Sequence, residues 1–201
     1  MRKPQPDSPT KRKLLAAAQN LMLAKGFTAT TVDDVCESAR LTKGSFFHYF
    51  ETKEALGKAV LDRYVSTMFQ AIQDAPFLKK DDPLQRIYGY VDFLIEMSRN
   101  PAKQSGCLLG TFSQELSDTH PGIRKTCAQH FARWAEALRL DIASAKAKHA
   151  GRKRWDPAAL AEHIIIVVEG SLILARANQN YGVVERNLKQ LKQYMNGLFG
   201  R

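Results

Sequence analysis

At 201 residues the chain can bury a substantial core, and its 44% hydrophobic and 25% charged content lies in the ordinary range of soluble globular proteins. Its 30 Lys and Arg against 20 Asp and Glu give a net charge of +10, which favours a polyanionic partner without proving one. Three cysteines (Cys36, Cys107, Cys127), with no CxxC and no paired spacing, argue against a disulfide framework or a zinc site and fit a reducing cytoplasm.

The opening stretch MRKPQPDSPTKRK is charged and has no apolar centre, so it does not read as a secretion signal; residues 1–8 read as a short arm. From there apolar residues recur at i, i+3, i+4 and i+7 and never alternate in twos for long, which predicts helices throughout. A first helix runs from about Pro9 to Lys25, with Leu14, Leu15, Ala18, Leu21 and Met22 on one face and Gly26 as its stop. Phe27 packs back as a plug. Thr30 or Thr31 can cap a second helix whose first turn holds Asp33 and Asp34, favoured there by the helix dipole. After a turn at Arg40–Leu41, Thr42 can cap a short third helix, Lys43 to Phe50, and Thr52 a long fourth, Lys53 to about Asp74. The segment between Asp74 and Pro83 reads as a break. Pro83 suits the first position of a fifth helix to Arg99, which ends before Asn100-Pro101.

Helices follow at about Gln104–Ser117 and Pro121–Lys148, then a polar, basic loop to Arg154. Asp156-Pro157 starts an apolar helix to about Asn180, and Val183–Leu198 is the last helix. Glu162, His163 and Glu169 interrupt the apolar helix, which argues for burial in a soluble protein rather than a bilayer span. The expected fold is therefore all-α, with about nine helices.

The run from Lys25 to Leu56 carries the functional signal. Two short helical patterns flank a tight break, as a helix-turn-helix requires: one helix braces and the other reads a DNA major groove. Thr31, Thr42 and Ser45 are short hydroxyl side chains near helix starts, suited to phosphate oxygens. Gly44 removes a side chain where the reading helix would press on the DNA backbone. Lys43 and Lys53 supply point charges at either end of that helix, fit for phosphates rather than base edges. Phe46 and Phe50 share an inner face. Ser45, Phe47, His48 and Tyr49 are then left toward solvent or groove, where Phe47 can meet a thymine methyl. The positive excess is not confined to this part, since residues 1–63 hold 11 basic and 7 acidic side chains and the rest 19 and 13. The motif, not the net charge, points to DNA.

This run resembles the N-terminal domain of the TetR family of transcriptional regulators. Gly26, Phe27, Thr30, Thr31, Val32, Val35, Ala39, Thr42, Gly44, Phe46, Tyr49, Phe50, Lys53, Glu54 and Leu56 fit the family pattern, and the motif-level likeness covers residues 11–57. It implies a three-helix DNA-binding domain over residues 1–57 and a larger helical effector-binding and dimerisation domain over 58–201. It also implies that Thr31, Thr42, Lys43, Gly44, Ser45, Phe47, His48, Tyr49 and Lys53 lie at or near double-stranded DNA. Two residues depart from the pattern. Arg40 stands where the family usually has Gly, at a cost of about 1 kcal/mol if the turn needs positive φ, and can instead reach a phosphate. Phe47 stands where Tyr is usual, so one hydroxyl contact is missing.

For the remaining chain the resemblance implies a homodimer formed through the last two helices and a pocket for a small-molecule effector. The apolar helix offers Leu160, Ile164, Val167, Val168, Ser171, Leu172 and Ala175 to such an interface, and the final helix Val184, Leu188, Leu191 and Met195. Candidate pocket residues are Phe93, Met97, Cys107, Phe112, Phe131, Trp134, His163 and Glu169, although aromatics and Met at this spacing also build ordinary cores. Cys107, after Ser105-Gly106 near a helix start, raises a second option, an electrophile- or redox-sensing repressor, beside the reading of a small buried thiol.

The reading that results is a cytoplasmic, ligand-responsive DNA-binding regulator, a repressor released from a palindromic operator. No GxSxG, HExxH or phosphate-cradling Gly loop is present, and His48, His120, His130, His149 and His163 are dispersed. Neither enzyme activity nor a metal or other cofactor is expected, nor a membrane partner. A helical protein-interaction adaptor is the remote alternative.

Overall fold

The computed structural model describes residues 8–101, 104 and 106–200. Among these residues there are nine α-helices, one 3-10 turn and no strand. The helices are α1 (Pro9–Lys25), α2 (Val32–Ala39), α3 (Lys43–Tyr49), α4 (Lys53–Gln73), α5 (Pro83–Arg99), α6 (Leu108–Leu116), α7 (Pro121–His149), α8 (Pro157–Ala177) and α9 (Gly182–Phe199). Expectations for the arm and for Ser105 fall outside the described residues.

Caps written in the sequence start most of these helices. Ser8 accepts from the Lys11 N–H ahead of Pro9, Asp82 from Leu84 ahead of Pro83, and Asp156 from Ala158 ahead of Pro157. Thr52 accepts from Ala55 at the start of α4. Two boundaries differ from the sequence reading by more than one residue. Helix α6 begins at Leu108 rather than near Gln104, because Gly106 sits at φ +84, outside helical space. Helix α8 ends at Ala177 rather than near Asn180, because Gln179 turns left-handed at φ 49. The break after α4 contains a 3-10 turn, Pro76–Lys79, which buries Phe77 against Tyr90 and Phe93 at ring-centroid distances of 6.2 and 5.9 Å.

Spatial contacts divide the chain into two compact units, Met1–Met68 with Cys107–His130, and Phe69–Gly106 with Phe131–Arg201. This division follows packing and differs from the boundary at residue 57 that the family resemblance implies. In the first unit α1 packs on α2, α3 and α6, and α2 on α3. Its interior includes Leu14, Ala18 and Met22 of α1, Val35 of α2, Phe46 of α3, and Leu56, Val60 and Leu61 of α4. Phe27 fills the space over Gly57, where any added Cβ would lie 2.8 Å from the Phe27 ring.

In the second unit α9 packs on both α5 and α8. Leu84, Ile87 and Val91 of α5, Leu160, Ile164 and Val168 of α8, and Val184, Leu188 and Met195 of α9 form one apolar cluster. Polar contacts fix the packing: Arg86 donates to Asp141 at 2.6 Å, Tyr88 to Asn196 at 2.6 Å, and the Trp134 indole to Tyr90 at 2.8 Å. Helix α8 is long and apolar enough to cross a membrane, yet it carries two glutamates and supplies much of this unit's interior.

Candidate nucleic-acid interface

Helices α2 and α3 are joined by a turn whose geometry is set residue by residue. Thr31 and Asp34 form a reciprocal capping box: the Thr31 hydroxyl accepts from the Asp34 N–H and the Asp34 carboxylate from the Thr31 N–H. Lys25 adds a 2.7 Å ion pair to the same carboxylate. The Lys25 ammonium first, then the Thr31 donors, lower the Asp34 pKa to about 2, so the box stays ionised at neutral pH. Arg40 closes α2 in the left-handed conformation, φ 54 and ψ 49, the strained position the missing glycine suggested. Its side chain is exposed.

Thr42 then caps α3, accepting from the Ser45 N–H, and the two hydroxyls lie 3.1 Å apart. Phe46 is fully buried and meets the rings of Phe47 and Phe50 at 5.1 and 5.8 Å. That anchoring leaves Lys43, Gly44, Phe47 and His48 exposed together, one helical turn apart in pairs. Phe47 is 56% exposed, an unusual cost in water for a side chain of that size.

Other members of the expected set are engaged within the protein. Tyr49 is half-buried and its hydroxyl accepts from Ser8 at 2.8 Å. Lys43 pairs with Asp33 at 2.8 Å, which raises its pKa through the hydrogen bond first and the Asp33 charge second. Both partners are well exposed, so the pair is weak and open to exchange with a phosphate. Lys53 differs: its ammonium donates to the carbonyls of Phe27, Thr28 and Thr30 and lies 4.4 Å from the Phe27 ring centroid. Its donors are committed to the turn before α2.

The expected pocket residues are divided between the two units. Cys107 and Phe112 belong to the first unit, and Phe93, Met97, Phe131, Trp134, His163 and Glu169 to the second. Phe112 is fully buried and packs edge-on against Phe27 at 5.5 Å, so it is core. Cys107 is half-buried at the N-cap position of α6. His163 is exposed and lies against the Tyr194 ring at 5.3 Å, not within the core as its apolar helix suggested. Glu169 is half-buried. Phe131 stacks on Trp134 at 6.2 Å, and Phe93 and Met97 are half-buried on α5.

The residues expected at a dimer interface are mostly spent on the protomer's own interior. Leu160, Ile164, Val168, Ser171 and Ala175 of α8 and Val184, Leu188, Leu191 and Met195 of α9 are buried, and Val167 and Leu172 half-buried. Because α8 is apolar all round, its outward face carries a second set: Ile166 is 65% exposed, Ile173 47% and Leu174 52%, with Tyr194 of α9 at 53%. Packing against α9 and the rest of the apolar cluster turns one face of α8 inward, and periodicity alone does not separate the two sets.

Comparison with known proteins places this geometry. Residues 14–60 match the model of "Bacterial regulatory proteins, tetR family", and residues 83–191 that of "Tetracyclin repressor-like, C-terminal domain". The chain is similar to the HTH-type transcriptional repressor DhaR of Mycobacterium sp. (strain GP1), 27% identical across 96% of this chain and 91% of that one. It is also similar to the transcriptional regulator AcuR of Cereibacter sphaeroides, 30% identical across 82% of this chain and 75% of that one. The crystal structure of regulatory protein TetR from Rhodobacter sphaeroides superposes with a TM-score of 0.81 at 27% identity, covering 92% of this chain and 98% of that one.

Proposed function

Because the chain belongs to the TetR family of bacterial transcriptional regulators, we propose that it is a dimeric repressor which a small molecule releases from a palindromic operator. The regulator binds DNA through its helix-turn-helix and acts in the cytoplasm, where its DNA lies. The observation that carries the detailed reading is the exposed face of α3, Lys43, Gly44, Phe47 and His48, set on a buried Phe46. Lys43 neutralises a phosphate by leaving Asp33, Arg40 reaches another, and Phe47 and His48 meet base edges. Thr31, Thr42, Ser45 and Tyr49 border that face, and Lys53 serves by holding the turn ahead of α2.

A second copy covers Ile166, Ile173 and Leu174 of α8 with Tyr194 of α9, and two reading heads then meet successive major grooves. In the second unit Phe93, Met97, Phe131 and Trp134 are the candidate effector contacts. Effector binding would favour a head spacing that no longer fits the operator, a population shift between two arrangements.

Gly44 supplies the test. A Cβ there would meet only the Thr42 hydroxyl, at 3.7 Å, so the fold itself has no need of glycine. Gly44→Ala is expected to leave thermal stability unchanged or to raise it by up to about 1 kcal/mol. Operator affinity, measured by fluorescence anisotropy on a duplex the chain selects from random DNA, is expected to fall about tenfold or more, because the methyl occupies the space of the DNA backbone. Equal affinity in the variant would remove α3 from the interface.

A further inference from the structure

The turn between α1 and α2 is held from another part of the chain. Glu115, one residue before the end of α6, accepts from the Phe27 N–H at 2.8 Å and from the Thr28 N–H at 2.6 Å. Lys53 takes the carbonyls of the same turn: Phe27 at 3.1 Å, Thr28 at 3.4 Å and Thr30 at 3.0 Å. A carboxylate and an ammonium thus divide backbone donors and acceptors of Phe27, Thr28 and Thr30 between them, in charge-assisted bonds of the stronger class. Burial pushes the Glu115 carboxyl up, but the Thr28 and Phe27 donors, with Lys53 nearby, outweigh it and hold the pKa below the ordinary carboxylate value.

The turn has little freedom of its own. Gly26 stands at φ +86, and a Cβ on it would lie 2.9 Å from the Glu115 carboxylate. Thr30 is fully buried and its hydroxyl donates to the Gly26 carbonyl at 2.7 Å. Phe27 is 2% exposed, with Phe112 of α6 and His120 against its ring at 5.5 and 5.3 Å. Thr31, the cap of α2, follows at once, and α2 packs on α3. A displacement of α6 therefore carries the turn, the start of α2 and the reading helix with it, unless the Glu115 bonds are first broken.

We propose that Glu115 is a positioning residue for DNA binding: through it α6 sets the α1–α2 turn, and with that turn the angle at which α3 is presented. This rests on the DNA-binding reading and names the contact by which that site is regulated. Coupling of this kind is reciprocal, so DNA that orders α3 must also order α6.

The test is amide hydrogen exchange on the full-length protein, with and without a duplex selected by this chain from random DNA. In the wild type the duplex is expected to slow exchange over residues 108–116 as well as over 43–49. In Glu115→Gln and Glu115→Ala operator affinity is expected to fall by roughly tenfold or more. Protection of 43–49 by saturating duplex should persist in both variants, while that of 108–116 is lost. The Gln variant, nearly isosteric, and the wild-type comparison decide the matter should the Ala variant not fold. Exchange over 108–116 that ignores DNA in the wild type overturns the proposal, as does a Gln variant that keeps both affinity and protection. Failure of the wild type to select any duplex would instead overturn the specific-regulator reading, and this proposal with it.

Discussion

Phe46→Ala is expected to destabilise the reading head and so to weaken operator binding strongly on warming. The ring is fully buried and tiles against Phe47 and Phe50, so its removal leaves a cavity beneath a helix of only seven residues. Such truncations cost about 3–5 kcal/mol, against a total stability for a domain of about 5–15 kcal/mol. Circular dichroism on heating should show the loss, with operator binding falling at temperatures where the wild type still binds. Phe47→Ala is the control, because the neighbouring ring is mostly exposed. Its effect on stability should stay within about 0.5 kcal/mol, while preference among operator variants changes. Equal stability losses in the two variants would contradict the assignment of inner and outer faces on α3.

The second large effect is on assembly. Leu174→Glu places a charge on the outward face of α8, which also carries Ile166 and Ile173, at a side chain that is 52% exposed. Sedimentation is expected to show a species of 22.6 kDa where the wild type has twice that mass, with helicity retained. Operator affinity should drop about 100-fold or more, since two linked half-site contacts become independent. Leu188→Ala, at a fully buried position of α9, should instead lower stability and leave assembly in place. Persistence of the dimer in Leu174→Glu would place the interface elsewhere.

Helix boundaries were legible where a local rule wrote them: Ser8-Pro9, Thr31 with Asp34, Asp82-Pro83 and Asp156-Pro157 each combine a cap with a following signal. Arg40 was legible too, because a left-handed position is a local demand and the departure from glycine stands out. What depends on distant packing was not. Lys53 reads as a phosphate ligand until three carbonyls of the preceding turn are seen around its ammonium. Glu115 lies 88 residues from Phe27, and no spacing rule connects a carboxylate to a turn so far away. Phe112 carries the periodicity of a pocket residue and of a core residue alike, and Phe27 decides between them. Even apolarity around α8 announces a buried helix and a partner, yet leaves open which side meets which.

Specific recognition of DNA through α3 is tested most directly by the ratio of two affinities. Full-length protein is titrated by fluorescence anisotropy against a duplex it selects from a random pool and against a scrambled duplex of the same composition, at physiological salt. The expected ratio is about 10³ or more, with both affinities falling as salt rises. Equal affinity for the two duplexes would contradict the account.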